Sequence, residues 1–263
     1  MFEIVPGTVY IVGAGPGDPD LITIRGAQLL AAADTVIITG SLVPRTLLKH
    51  CAKNPAVVDS KGLTLQEIME KTVAAARAGQ IVVRLHTGEP SIFGATMEQI
   101  DELRKEQVPF VIIPGISSFQ AAAAALEAEF TIPEVSQTLI ISRAGGKTPV
   151  PALEELTELA KIRATVVLYL SALLVEKIER DLLTQYPPDE PIAIVRRASW
   201  PDELIVRGEL RNLVALTKEH GIKDHALIIV GPGLKSHGTK SKLYDASFSH
   251  RFRKAKSPAG DAV

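Results

Sequence analysis

The sequence predicts an α/β protein of two domains, with a parallel N-terminal sheet, a mixed C-terminal sheet and a ligand cleft between them. Three observations predict it. Through residue 115, short apolar runs alternate with amphipathic helical stretches, the pattern of strand–helix–strand units. Beyond Glu129, strand-like runs follow one another with few helices between them, which calls for antiparallel neighbours. Glycine-containing turns directly follow several strands, at the sheet edge where open α/β folds bind ligands.

Taken in order, the strands of the first half are 9–12, 35–39, 56–58, 81–86 and 110–113, and the helices are 23–33, 44–51, 64–78 and 94–107. Thr64 and Glu67 have capping-box spacing at the start of the third helix, and Gly79 stands just past its end. The run Ala121 to Ala125, preceded by Ser117 and Ser118, reads as a helix of small residues that packs closely or lets a ligand approach. In the second half the strands are 138–142, 165–170, 191–195, 203–206 and 226–230, with helices near 173–185 and 211–220. Domain limits follow at 1–115 and 116–234, leaving 235–263 as a tail.

That tail carries seven Lys/Arg against two Asp/Glu, while the whole chain of 263 residues has a formal net charge of only -1. Rich in Ser, Gly and Lys and without apolar periodicity, it is expected to be disordered. The overall balance predicts neither a broad nucleic-acid surface nor nucleic acid as a partner. One cysteine, Cys51, allows no internal disulfide, and no signal-peptide pattern or membrane-length apolar run is present, so a cytoplasmic protein is expected. The six histidines are scattered, and no metal site is expected.

The turn after the first strand separates this chain from the dinucleotide-binding pattern. Gly13, Gly15 and Gly17 alternate, Pro16 and Pro19 stiffen the turn, and Asp18 occupies the place of a pyrophosphate. The ribose-binding acid is missing too, since Asp34 precedes the second strand instead of closing it. A nicotinamide-dependent oxidoreductase is therefore disfavoured. Arg143 to Thr148, Arg-Ala-Gly-Gly-Lys-Thr, is not a P-loop either, because Ile141 stands where the first glycine is required.

Three stretches together carry a resemblance. Gly-Ala-Gly-Pro-Gly-Asp-Pro at 13–19, Arg84-Leu-His-Thr-Gly-Glu-Pro-Ser-Ile-Phe-Gly94, and Ile113-Pro-Gly-Ile-Ser-Ser118, in that order, resemble the tetrapyrrole methyltransferases. The resemblance runs from about residue 9 to 231. Gly40-Ser41-Leu42-Val43, Leu85 to Ala95, and Thr131-Ile-Pro-Glu-Val-Ser-Gln-Thr138 are similar to the corrin-branch subfamily that methylates precorrin-4 at C11. Glu89 departs from that family's usual Asp.

The resemblance implies two α/β domains clasping S-adenosylmethionine without a Rossmann domain, usually in a homodimer. It implies Pro16, Thr87, Gly88, Glu89, Ile92, Ser117, Ser118, Leu170, Ala198 and Ala226 as cofactor-binding positions; for Leu170, Ala198 and Ala226 simple core packing is the alternative. It implies precorrin-4 or cobalt-precorrin-4 as substrate, whose acetate and propionate groups call for cations that pair with carboxylates. Arg45, His86, Arg143, Lys147, Arg196 and Arg197 are the candidates, each weighed against a solvated surface charge or, for His86, a satisfied polar residue at a strand end. No catalytic nucleophile is required, because the methyl donor carries its own leaving group. Methylation of another corrinoid carbon and a silent corrinoid-binding protein remain as alternatives.

Overall fold

A computed structural model describes residues 2–40, 42–235 and 245–255. The chain divides into two compact units, Met1–Ala125 with Arg197–Leu204, and Leu126–Arg196 with Ile205–Val263.

The first unit contains a five-stranded sheet in the order β3-β2-β4-β1-β5, formed by β1 (Val9–Gly13), β2 (Thr35–Ile38), β3 (Ala56–Asp59), β4 (Val82–His86) and β5 (Phe110–Ile113). The pairs β1–β4, β1–β5, β2–β3 and β2–β4 are all parallel. Helices α1 (Ile24–Ala32), α2 (Leu65–Arg77), α3 (Thr96–Lys105) and α4 (Ser118–Ala125) complete it. Alternate residues of each strand serve opposite faces. Tyr10, Val12, Val36, Ile38, Val83 and Leu85 pack with Leu29 and Leu30 of α1. Val9, Ile11, Ile37 and Val82 pack instead with Met69 and Val73 of α2 and with Ile100 and Leu103 of α3. Burial on both faces is why β1 and β2 read as nearly continuous apolar runs, while β4 buries Arg84 and His86 among its apolar residues. The capping box forms as its spacing predicts: Glu67 N–H donates to Thr64 Oγ1 at 3.3 Å, and Thr64 N–H donates to Glu67 Oε2 at 2.7 Å.

The second unit holds β6 (Leu139–Arg143), β7 (Thr165–Tyr169), β8 (Pro191–Arg196), β9 (Leu204–Glu209) and β10 (Ala226–Val230) in the order β6-β7-β10-β8-β9. This sheet is mixed, because β10 runs antiparallel to β7 and β8 while β6 and β7 are parallel. Its helices are α5 (Leu156–Leu159), α6 (Val175–Leu182) and α7 (Leu213–Glu219).

Two local expectations change. The segment read as a helix over 44–51 is a 3₁₀ turn, Arg45–His50, whose bonds close over three residues, Leu47 N–H to Pro44 O and Cys51 N–H to Leu48 O. It buries only Leu47, so no wide apolar stripe exists to extend it into an α-helix. Short helix α5, flanked by 3₁₀ turns, was not legible because a single turn shows no period. Ser41 of the Gly40-to-Val43 motif lies outside the described residues, as does most of the expected tail. Within that tail, 245–255 forms turns with a His250–Arg253 bridge.

Candidate functional site

In the first unit β1 lies between β4 and β5, so the turns leaving the three strands emerge side by side. The first two are knitted by backbone bonds: Ala14 N–H donates to His86 O at 2.7 Å, Gly15 N–H to Gly88 O at 3.3 Å and Gly88 N–H to Gly15 O at 3.1 Å. The third is drawn in by Glu89, whose Oε2 accepts the Gly115 N–H at 2.7 Å while Oε1 accepts the Ser91 N–H at 3.0 Å. Backbones meet here with no side chain between them. A Cβ on Gly115 would stand 2.1 Å from Gly88 O and 2.7 Å from Gly13 Cα, distances that real atoms do not tolerate.

Electrostatics at this junction are set by Glu89. Burial acts to raise its carboxyl, but the Gly115 and Ser91 amides prevail and hold it below its ordinary value. It is therefore an anion at neutral pH. Beneath it, His86 is buried, with Nε2 2.6 Å from Gly94 O and Nδ1 3.4 Å from Thr87 O, and Thr96 Oγ1 donates to Pro90 O at 2.6 Å. These bonds close the 87–95 turn. Arg84, lower on β4, is buried as well; its guanidinium donates to Gln99 Oε1, Ser60 Oγ and Ile37 O, and burial pulls its pKa down to about 10.

Among the sequence-predicted cofactor residues, the structure brings Pro16, Thr87, Gly88, Glu89, Ile92 and Ser117 onto these three turns. Ser117 is buried, and its N–H donates to Gln120 Oε1 at 2.8 Å where α4, beginning at Ser118, takes over. Ala198 is buried in the same unit, within Arg197–Leu204. That segment also fastens the first turn, since Trp200 Nε1 donates to Pro16 O at 2.9 Å and Asp18 N–H donates to Ser199 Oγ at 3.0 Å.

A sequence model of the tetrapyrrole (corrin/porphyrin) methylases matches residues 8–214, which include all three turns. The chain belongs to this family. Among its relatives, the cobalt-precorrin-4 C(11)-methyltransferase of Methanocaldococcus jannaschii is 48% identical over 94% of this chain and 96% of its own. The precorrin-4 C(11)-methyltransferase of Pseudomonas aeruginosa is 43% identical over 94% and 98%. A solved cobalt-precorrin-4 methyltransferase superposes with a TM-score of 0.85 at 43% identity, covering 87% of this chain and 96% of that one. The uroporphyrin-III C-methyltransferase of Thermus thermophilus, solved in complex with S-adenosylhomocysteine, gives 0.72 at 29% identity, covering 85% and 97%.

The remaining candidates of this tetrapyrrole methylase are spread over both units. In the second, Leu170 closes β7 with φ 54 and is 72% exposed, so it is not a core residue; Ala226, which opens β10, is buried. Arg143 donates to Thr148 O at 3.0 Å and Pro149 O at 2.7 Å, closing its own loop, while Lys147 in that loop is exposed. Arg196 lies 3.9 Å from Asp224. In the first unit Arg45 reaches Asp59 at 3.5 Å from an exposed position, and Arg197 pairs with Asp202 at 3.1 Å while stacking on Trp200. Sequence reading named Arg196, Arg197 and Ala198 as candidates but missed Ser199 and Trp200 beside them. Their partners lie 181 and 184 residues away, and local sequence carries no signal of that distance.

Proposed function

We propose that this protein transfers a methyl group from S-adenosylmethionine to C11 of precorrin-4, or of its cobalt-containing counterpart, in cobalamin biosynthesis. The observation that carries the reading is the identity of 40% or more, over nearly the full length, to relatives named for that reaction. The geometry is in keeping with it. Three glycine turns present backbone polar groups beside one anionic carboxylate, a donor and acceptor set suited to a ribose and an amino-acid moiety. We assign Pro16, Thr87, Gly88, Glu89, Ile92, Ser117, Ser118 and Ala198 to the methyl donor.

When bound, S-adenosylmethionine supplies an electrophilic methyl on a positively charged sulfur. The work left to the protein is alignment within about 3 to 3.5 Å, with water excluded. The cross-bonded turns provide the rigidity that such alignment requires, because each is held by bonds from another turn or from Arg197–Leu204. Glu89 remains ionised and can accept a further hydrogen bond, since a carboxylate offers about four acceptor sites and the two amides occupy two. Substrate carboxylates would fall to Lys147, Arg143, Arg45, Arg196 and Arg197. His86, with Nε2 against the Gly94 carbonyl, supports the 87–95 turn. We further propose a cytoplasmic homodimer, on the family resemblance.

The cofactor assignment is tested by calorimetric titration. S-adenosylhomocysteine should bind after chelator treatment, while NAD and ATP give no comparable heat. Tight NAD binding, or no binding of S-adenosylhomocysteine, would contradict it.

A further inference from the structure

The turn at 13–19 is anchored at its start, where Ala14 and Gly15 bond the end of β4 and the turn after it. Beyond those bonds, Pro16 and Pro19 lack N–H groups to donate, and Gly17 has no side chain to pack. Farther along, the Pro16 carbonyl and the Asp18 amide are held from Arg197–Leu204. Trp200 Nε1 occupies the Pro16 carbonyl, and Ser199 Oγ occupies the Asp18 amide, so the two contacts bracket Gly17. The absence of a side chain there is essential, since a Cβ on Gly17 would stand 2.1 Å from Trp200 Cδ1.

The segment is itself braced. The Arg197 guanidinium lies 4.1 Å from the centre of the indole ring and is held by Asp202 at 3.1 Å. Ser199 N–H donates to Glu203 Oε2 at 2.7 Å. Arg197 and Ser199 both take left-handed backbone angles, φ 51 and φ 67, which non-glycine residues keep only where surrounding contacts over-determine them. A strained, braced segment that spends one indole donor and one hydroxyl on a single turn has the character of a positioning device.

We propose that Arg197–Leu204 is a strap holding the first glycine turn in the conformation that receives the methyl donor, with Trp200 and Ser199 as positioning residues. This rests on the methyl-donor reading of the site. The two contacts act on the turn, leaving the transfer step itself to other groups. Losing either should therefore weaken cofactor binding and spare turnover at saturating cofactor.

Trp200→Phe separates this role from simple packing, because it keeps an aromatic ring against Gly17 and beneath Arg197 while removing the N–H donor. Ser199→Ala removes the second contact independently. Binding of S-adenosylhomocysteine by calorimetry, KM for S-adenosylmethionine, kcat and thermal midpoint are measured for wild type and both variants. For each variant the dissociation constant and KM should rise about three- to tenfold, the effect of one net hydrogen bond. kcat and the midpoint should stay near wild type. Unchanged binding in both variants overturns the strap while leaving the methyl-donor reading in place. A lowered midpoint with kcat falling in step also overturns it, by showing a merely structural role. Wild-type protein that fails to bind S-adenosylhomocysteine removes the methyl-donor reading, and the strap with it.

Discussion

Glu89 Oε2 accepts the Gly115 N–H at 2.7 Å, joining the turn after β4 to the turn after β5 across the end of β1. The same carboxylate also accepts from Ser91 N–H, so one side chain sets the shape of its own turn and the position of the next. Its place in the candidate site is thus architectural as well as electrostatic.

Glu89→Leu should lose roughly 1.5 to 3 kcal/mol of cofactor binding, the range for a hydrogen bond to a charged group. Glu89→Asp, which restores the family's usual residue, should retain most binding. Cofactor titration with thermal melting as the folding control measures both. Wild-type affinity in a correctly folded Leu variant would remove Glu89 from the site.

Acidification offers a second view of the same bonds. The folded state holds the Glu89 carboxyl below its ordinary value, so its contribution is fully present above the unfolded pKa and is lost as pH falls through the folded one. Denaturant melts from neutral pH down into the acid range should show wild type losing more stability than Glu89→Gln. Parallel losses would place the carboxylate outside the stabilising network.

Gly115→Ala tests the close approach of the three turns. The added methyl meets backbone on two sides, which cannot swing away as a side chain would. A stability loss of about 1 to 3 kcal/mol, the usual cost of overpacking, should accompany severe loss of cofactor binding. A variant with wild-type melting and affinity would show that the turns separate easily.

How much of this was legible in the sequence depended on distance along the chain. Strands such as Val9–Gly13 were readable because burial on both faces writes a continuous apolar run. The glycine turns were readable because each directly follows an apolar strand. Leu170 was less so: it looked like the last residue of an apolar strand, but a left-handed backbone turns it out of the sheet into solvent. Arg143 reads as an open cation in sequence, whereas its guanidinium bonds two carbonyls of the loop that follows. The bonds of Trp200 and Ser199 to the first turn were invisible, since each partner is chosen by tertiary packing.

Lys147 and Arg143 should divide in their effects on substrate. Lys147→Ala should weaken precorrin binding by about tenfold while cofactor affinity stays unchanged, the effect of one charged contact. Arg143→Ala should weaken substrate at least as much, because it loses a cation and also loosens the loop that carries Lys147. Titrations of each variant with substrate and with S-adenosylhomocysteine check this. Equal losses for both ligands would point to a general folding role for the loop.

The central claim is methyl transfer to C11, and the position of a transferred label tests it most directly. The protein is incubated with S-adenosylmethionine carrying a carbon-13 methyl and with precorrin-4 or cobalt-precorrin-4, and the product is characterised by mass and NMR. One labelled methyl at C11, with one S-adenosylhomocysteine released for each, is the predicted result. Label on a different macrocycle carbon, or intact substrate despite bound cofactor, would contradict it.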